Sequence, residues 1–169
     1  MAARSAHAVA QVAIVVCIMV CRCAAGAEPV HDEQDRSLDW YVQMGAYVHW
    51  ISSDDFEGAP LFAGVEIHLK DGWSGGFSIF NNSFGQFTQY AYAGKSFRPW
   101  DTHPEVRVAV TAGIVHGYRD EYYDTLPIRW GGSWGIGVVP AIGIHKKRMG
   151  YDVALLGVSG LLFLVGFHL

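Results

Sequence analysis

Residues 105–116 read Glu-Val-Arg-Val-Ala-Val-Thr-Ala-Gly-Ile-Val-His, and the parity of that run decides the fold. Val106, Val108, Val110, Ala112 and Ile114 fall on one side of an extended chain. Arg107, Ala109, Thr111, Gly113 and Val115 fall on the other. A period of two over about ten residues is the signature of a strand with one apolar face, of the length that crosses a bilayer. The pattern recurs upstream, where Leu61, Ala63, Val65, Ile67 and Leu69 alternate with Phe62, Gly64, Glu66 and His68. It recurs again in the last ten residues, with Leu161, Phe163, Val165, Phe167 and Leu169 against Gly160, Leu162, Leu164, Gly166 and His168.

Turn chemistry separates these runs. Asp71-Gly72 is a tight hairpin signal, and Arg98-Pro99-Trp100-Asp101 interrupts the next pair of strands. The chain reads as eight strands, roughly 42–50, 60–69, 73–81, 86–96, 105–115, 133–145, 150–157 and 160–169. The expected fold is therefore all-β: an eight-stranded antiparallel transmembrane β-barrel occupying 42–169, preceded by an N-terminal segment over 28–41. Closure leaves no unpaired edge in lipid. A periplasmic lipocalin-like barrel would alternate similarly, but would not place its large apolar residues outward. The other parity (Gly45, Tyr47, Gly64, Ala109, Gly113, Gly135, Gly137, Val139, Leu162, Leu164) reads as a lumen of small and aliphatic residues with only occasional polar ones. Eight strands leave room for side chains or one slim ligand. The glycines either make space for a hydrocarbon chain or serve curvature.

The first 27 residues differ from the rest. Arg4, the uncharged apolar run Val12–Val20 and the small residues Ala25-Gly26-Ala27 have the layout of a secretory signal, cleaved after Ala27. The run is shorter than the roughly 20 residues a transmembrane helix needs. Cys17, Cys21 and Cys23, the only cysteines, all lie within these first 27 residues. The mature chain would then have no disulfide and no thiolate chemistry. Lipidation at Cys23 competes poorly, because Arg22 stands where a small residue is expected. The formal net charge of −4 and the lack of a basic stripe argue against nucleic acid as a partner. The expected location is a bacterial outer membrane, as a monomer, with no cofactor and no metal.

With odd-numbered strands rising outward, the external loops are about 51–59, 82–86, 116–132 and 158–159. His49, on the lumen parity, and Ser83, in Asn81-Asn82-Ser83-Phe84-Gly85, then reach the same rim. A histidine near a hydroxyl in an apolar site is the minimum for moving a proton during acyl transfer. Taken alone, each of the eight histidines is more often an interfacial residue, and Ser83 a turn residue. No His-Glu-x-x-His, Gly-x-Ser-x-Gly or phosphate loop is present.

These residues carry a resemblance. Tyr47-Val48-His49-Trp50, Asn81-Asn82-Ser83-Phe84-Gly85, Thr111-Ala112-Gly113 and Arg119-Asp120 follow the order and spacing of short motifs in the lipid A palmitoyltransferase family. The chain resembles divergent members of that family over about 45–169. The resemblance implies transfer of a fatty acyl chain, usually palmitoyl, from a phospholipid to a hydroxyl of lipid A. His49 would accept the proton and Ser83 would be the essential loop hydroxyl, with or without an acyl-enzyme. The family's loop aspartate is Asn82 here. Its amide could donate to a developing oxyanion, with Asp120 or Glu121 orienting His49. Gly94 falls where the family sets acyl-chain length from the lumen. Pro60 and Pro140 fall at or within strands, where a missing N–H could open a lateral route for a lipid tail. Phospholipid and lipid A are the implied partners. Two rivals stand beside this reading. A lipid A deacylase would carry His-x-Ser in a strand, but His49-Trp50-Ile51-Ser52 has the wrong spacing. A non-catalytic structural or adhesion barrel would need neither His49 nor Ser83.

Overall fold

The computed structural model describes residues 39–49, 61–82, 84–119, 128–157 and 160–169. The signal reading over 1–27, most of the N-terminal segment, Pro60, Ser83, Asp120 and Glu121 lie outside them. The same holds for the side chain of His49.

Nine strands are described. They are β1 (Asp39–His49), β2 (Leu61–His68), β3 (Trp73–Asn81), β4 (Phe87–Phe97), β5 (Val106–His116), β6 (Ile128–Gly131), β7 (Trp134–Lys146), β8 (Met149–Leu156) and β9 (Gly160–His168). Every ladder is antiparallel. The order is β5-β4-β3-β2-β1-β9-β8-β7-β6, and an additional β5–β7 ladder closes the ring. Eight strands form the barrel. The short β6 is a hairpin partner of the outer end of β7, lying within what the sequence reads as one loop over 116–132. The N-terminal segment is also shorter than the sequence indicates, because β1 already begins at Asp39. Residues 39–41 pair with β2 from His68 to Glu66, so the alternation of the chain starts there.

Turn chemistry explains the short-turn end. Asp71 (φ 59°) and Gly72 (φ 75°) are both left-handed, which matches the right-handed twist of a two-strand hairpin. Lys147 (φ 53°) opens the equally tight β7–β8 turn. The longer β4–β5 connection is held by His103 N–H on the Trp100 carbonyl and Val106 N–H on the His103 carbonyl. The opposite end carries the wide gaps between strands, from 50 to 60 and from 117 to 127.

The two parities take opposite environments. Val42, Met44, Val48, Leu61, Phe77, Ile79, Ile114, Val138, Ile142, Ile144 and Phe163 are exposed on the outside. Trp40, Trp73 and Phe167 ring the short-turn end, and Phe87, Trp130 and Trp134 the long-loop end. A closed barrel with an apolar band between two aromatic girdles is built for hydrocarbon. Tyr41, Tyr47, Tyr90, Tyr92, Ala109, Val115, Ala154 and Leu162 are buried in the lumen.

Candidate functional site

The lumen has two halves of different chemistry. Toward the long loops it is apolar and aromatic. Tyr90, Tyr92 and Val115 pack with Phe80, Tyr118 and Val139, and Tyr47, Ala154 and Leu162 pack with Phe62, Ala141, Leu156 and Leu164. Toward the short turns it is polar, which corrects the expectation of an interior with only occasional polar residues. Glu66 sits at the centre of this half, accepting hydrogen bonds from Tyr92 Oη (3.0 Å) and Gln43 Nε2 (3.1 Å). The Arg107 guanidinium lies 3.7 Å from the same carboxylate, and His68 Nε2 lies at 2.7 Å. His145 Nε2 contacts both oxygens of Asp152 at 3.0 and 2.9 Å. These residues come from six different strands, and no single stretch of sequence displays them together.

The lumenal glycines are occupied by their neighbours. A Cβ on Gly166 would run into the Tyr41 ring, one on Gly150 into Tyr41 and His145, and one on Gly76 into Tyr92. On Gly137 it would meet Val115 Cγ2 at 2.9 Å, and on Gly45 Leu164 Cδ2 at 2.8 Å. Their shared purpose is to let bulky lumenal side chains of nearby strands lie flat over the wall. Gly94, expected at the floor of an acyl pocket, faces the lumen, but a Cβ there would meet Ser74 Oγ at 2.9 Å and Thr111 Cγ2 at 3.0 Å. The large apolar recess among the described residues is lined by both parities, the outward Met44, Leu61, Ile79 and Ile142 with the inward Phe62, Phe80 and Leu164.

At the long-loop end the ends of β1 and β3 come together. The Tyr47 hydroxyl donates to the Asn81 carbonyl at 3.2 Å, two residues before His49 on one strand and two before Ser83 on the other. The backbone of His49 is the last of β1 and pairs with Gly160. Tyr118 is partly buried beside Tyr47, and that desolvation pushes its phenol pKa up. Asn82 is almost fully buried and organises its own loop. Its Oδ1 accepts the backbone N–H of Phe84 and of Gln86, both at 3.0 Å, and its amide donates to Gln86 Oε1 at 3.4 Å. Gln86 Oε1 also accepts the Arg119 N–H at 2.9 Å, tying this loop to the segment after β5. Gln86 carries no motif signal, and sequence reasoning passes over it.

Pro140 lies inside β7. The β7–β8 ladder runs from Lys146↔Met149 to Ala141↔Ala154 and stops where Pro140 would be next. A proline has no N–H with which to extend it. Residues 137–140 pair only with β5, while Leu155 and Leu156 pair only with β9. A seam between β7 and β8 therefore opens toward the long-loop end.

No protein-family model matches the chain, and no curated protein matches it. Among solved structures, the Yersinia pestis outer membrane protein Ail in a phospholipid bilayer nanodisc is similar at 11% identity and a TM-score of 0.49, covering 79% of this chain and 100% of that one. Ail in complex with the heparin analogue sucrose octasulfate is similar at 12% identity and a TM-score of 0.42, covering 79% and 98%. Likeness at that level transfers no site or activity. The closed ring, apolar outer band and aromatic girdles of this chain are those of a membrane-spanning β-barrel.

Proposed function

We propose that this protein is a non-conducting structural barrel of the outer membrane, its interior filled by its own side chains and its variable chemistry confined to the long loops. The observation that carries this reading is the occupancy of the lumenal glycines. Space beside Gly45, Gly76, Gly137, Gly143, Gly150 and Gly166 is taken by a leucine, tyrosine, valine or carboxylate, for the most part from the neighbouring strand. Asn82, the residue standing where a catalytic carboxylate would be needed, is bound into loop structure on both its oxygen and its amide.

A second reading, phospholipid to lipid A acyl transfer, is favoured by two observations. The β7–β8 seam at Pro140 is a lateral opening at membrane depth. The Tyr47–Asn81 bond joins β1 and β3 near their ends at one rim. In this reading His49 takes the proton of the lipid A hydroxyl and Ser83 supplies the loop hydroxyl.

Mass spectrometry of lipid A separates the two. In a host lacking its own palmitoyl transfer, expression of the folded barrel leaves the lipid A profile unchanged. A new species heavier by one fatty acyl group, lost in His49→Ala and Ser83→Ala, would replace the structural reading with acyl transfer. A species lighter by one acyl group would replace it with deacylation.

A further inference from the structure

A different cluster lies at the short-turn end, at the far side of the barrel from the rim described above. Strand register creates it. Asp39 on β1 faces His68 on β2 directly, and His168 on β9 faces Tyr41, two residues along β1. All three share the lumen parity, so three neighbouring strands converge on one point. Asp39 Oδ2 lies 2.7 Å from His168 Nδ1 and 3.8 Å from His68 Nδ1. One ligand atom from each residue falls within 4.8 Å of the other two.

The second nitrogen of His68 is already committed. Its Nε2 lies 2.7 Å from Glu66 Oε2, a carboxylate held in turn by Tyr92, Gln43 and Arg107. An ionised carboxylate only accepts, so Nε2 carries the hydrogen and Nδ1 turns its lone pair toward Asp39. A histidine whose remote N–H is pinned by a carboxylate, leaving the other nitrogen free and aimed, is the usual second-shell arrangement around a metal. Tyr41 limits ring rotation, its centroid 5.3 Å from that of His68 and 4.6 Å from that of His168. His145 is close by, but its Nε2 is taken by Asp152.

Hydrogen bonding accounts for only half of this. The His168–Asp39 pair is an ordinary short contact. Between His68 Nδ1 and Asp39, however, a neutral ring sets two acceptors face to face at a separation too long for a hydrogen bond. The gap between these two lone pairs takes a bridging group, a water that donates to both or a cation that both coordinate.

We propose that Asp39, His68 and His168 form a divalent transition-metal site, with zinc as its natural occupant. Two imidazole nitrogens and one carboxylate oxygen suit zinc among the common ions, and water completes the coordination. The Asp39 side chain is 43% exposed, which leaves a path for entry. Binding displaces the proton that His168 shares with Asp39. The ion would clasp β1 to both of its neighbours, where the first and last described strands meet.

The test uses the full protein, without a polyhistidine tag, extracted in detergent and stripped with chelator. Zinc titrated by calorimetry should bind one equivalent at this site. His68→Gln and His168→Gln should each weaken binding by about tenfold or more, and Glu66→Gln, through the orientation of His68, by about tenfold. His145→Gln should leave the affinity unchanged. Zinc should raise the unfolding midpoint of the native protein and of His145→Gln, but not that of His168→Gln. Should a histidine variant not fold, Asp39→Asn at the open rim carries the same comparison. Folded protein that binds no zinc would overturn the site. Binding undiminished in both His68→Gln and His168→Gln would overturn it as well.

Discussion

Arg107 stands on the lumen side of β5 with its guanidinium against a carboxylate that is 4% exposed. Removing one partner of such a pair costs up to ~3–5 kcal/mol, and here Tyr92, Gln43 and His68 still hold the Glu66 carboxylate, so the loss lies below that ceiling. Arg107→Ala should therefore lower the urea midpoint of the folded, heat-modifiable band, by far more than Arg98→Ala on the exposed β4–β5 connection. At the rim, Asn82→Ala removes the acceptor for two backbone N–H groups and should speed amide exchange at Phe84, Gln86 and Arg119. Asn82→Asp keeps that acceptor and should leave the Phe84 and Gln86 amides protected. Wild-type exchange in Asn82→Ala would refute the loop-organising role. At this scale the sequence is only partly legible. His49 and Ser83 are visible because they sit in short ordered motifs. Asp39, Glu66, Arg107 and His168 are not, since up to 129 residues separate them and only strand register brings them together.

At the scale of the element, parity reads almost completely from sequence. The runs 60–69, 105–116 and 160–169 turn the faces expected of them, because in lipid one face of a strand must be apolar along its whole length. The tight turn at Asp71-Gly72 is equally legible, since few residues tolerate two left-handed positions in succession. β6 is not: four residues are too short a run to carry a periodic signal, and pairing with β7 alone makes them a strand. The purpose of the glycines is also hidden, because it depends on what faces them. Gly150→Ala and Gly166→Ala should each cost ~1–3 kcal/mol by pushing a methyl group into Tyr41. Gly75→Ala, whose nearest atom is the Tyr92 carbonyl oxygen at 4.0 Å, should be neutral or slightly stabilising in the same unfolding assay. Pro140→Val should let the β7–β8 ladder lengthen and add about 1 kcal/mol, seen as slowed amide exchange near Leu155.

For the whole molecule, a bore crossed by Gln43, Glu66, Tyr92 and Arg107 offers no continuous water path through its polar half. Purified protein in planar bilayers should give no discrete conductance steps, and stepwise channels would contradict the filled interior. The ring is shut by β1 against β9, with the Leu169 N–H donating to the Trp40 carbonyl at its last position. Most other barrel ladders join strands that are neighbours in sequence, so they can form as hairpins on a microsecond scale. The exception at β1–β9 concentrates the loop-closure entropy of the fold in a single encounter, worth about 4 kcal/mol for a span of this length. An open, curled sheet with two bare edges is thus the expected late species on the folding route, and the rate at which those edges meet sets how long the chain stays vulnerable to pairing with the wrong partner.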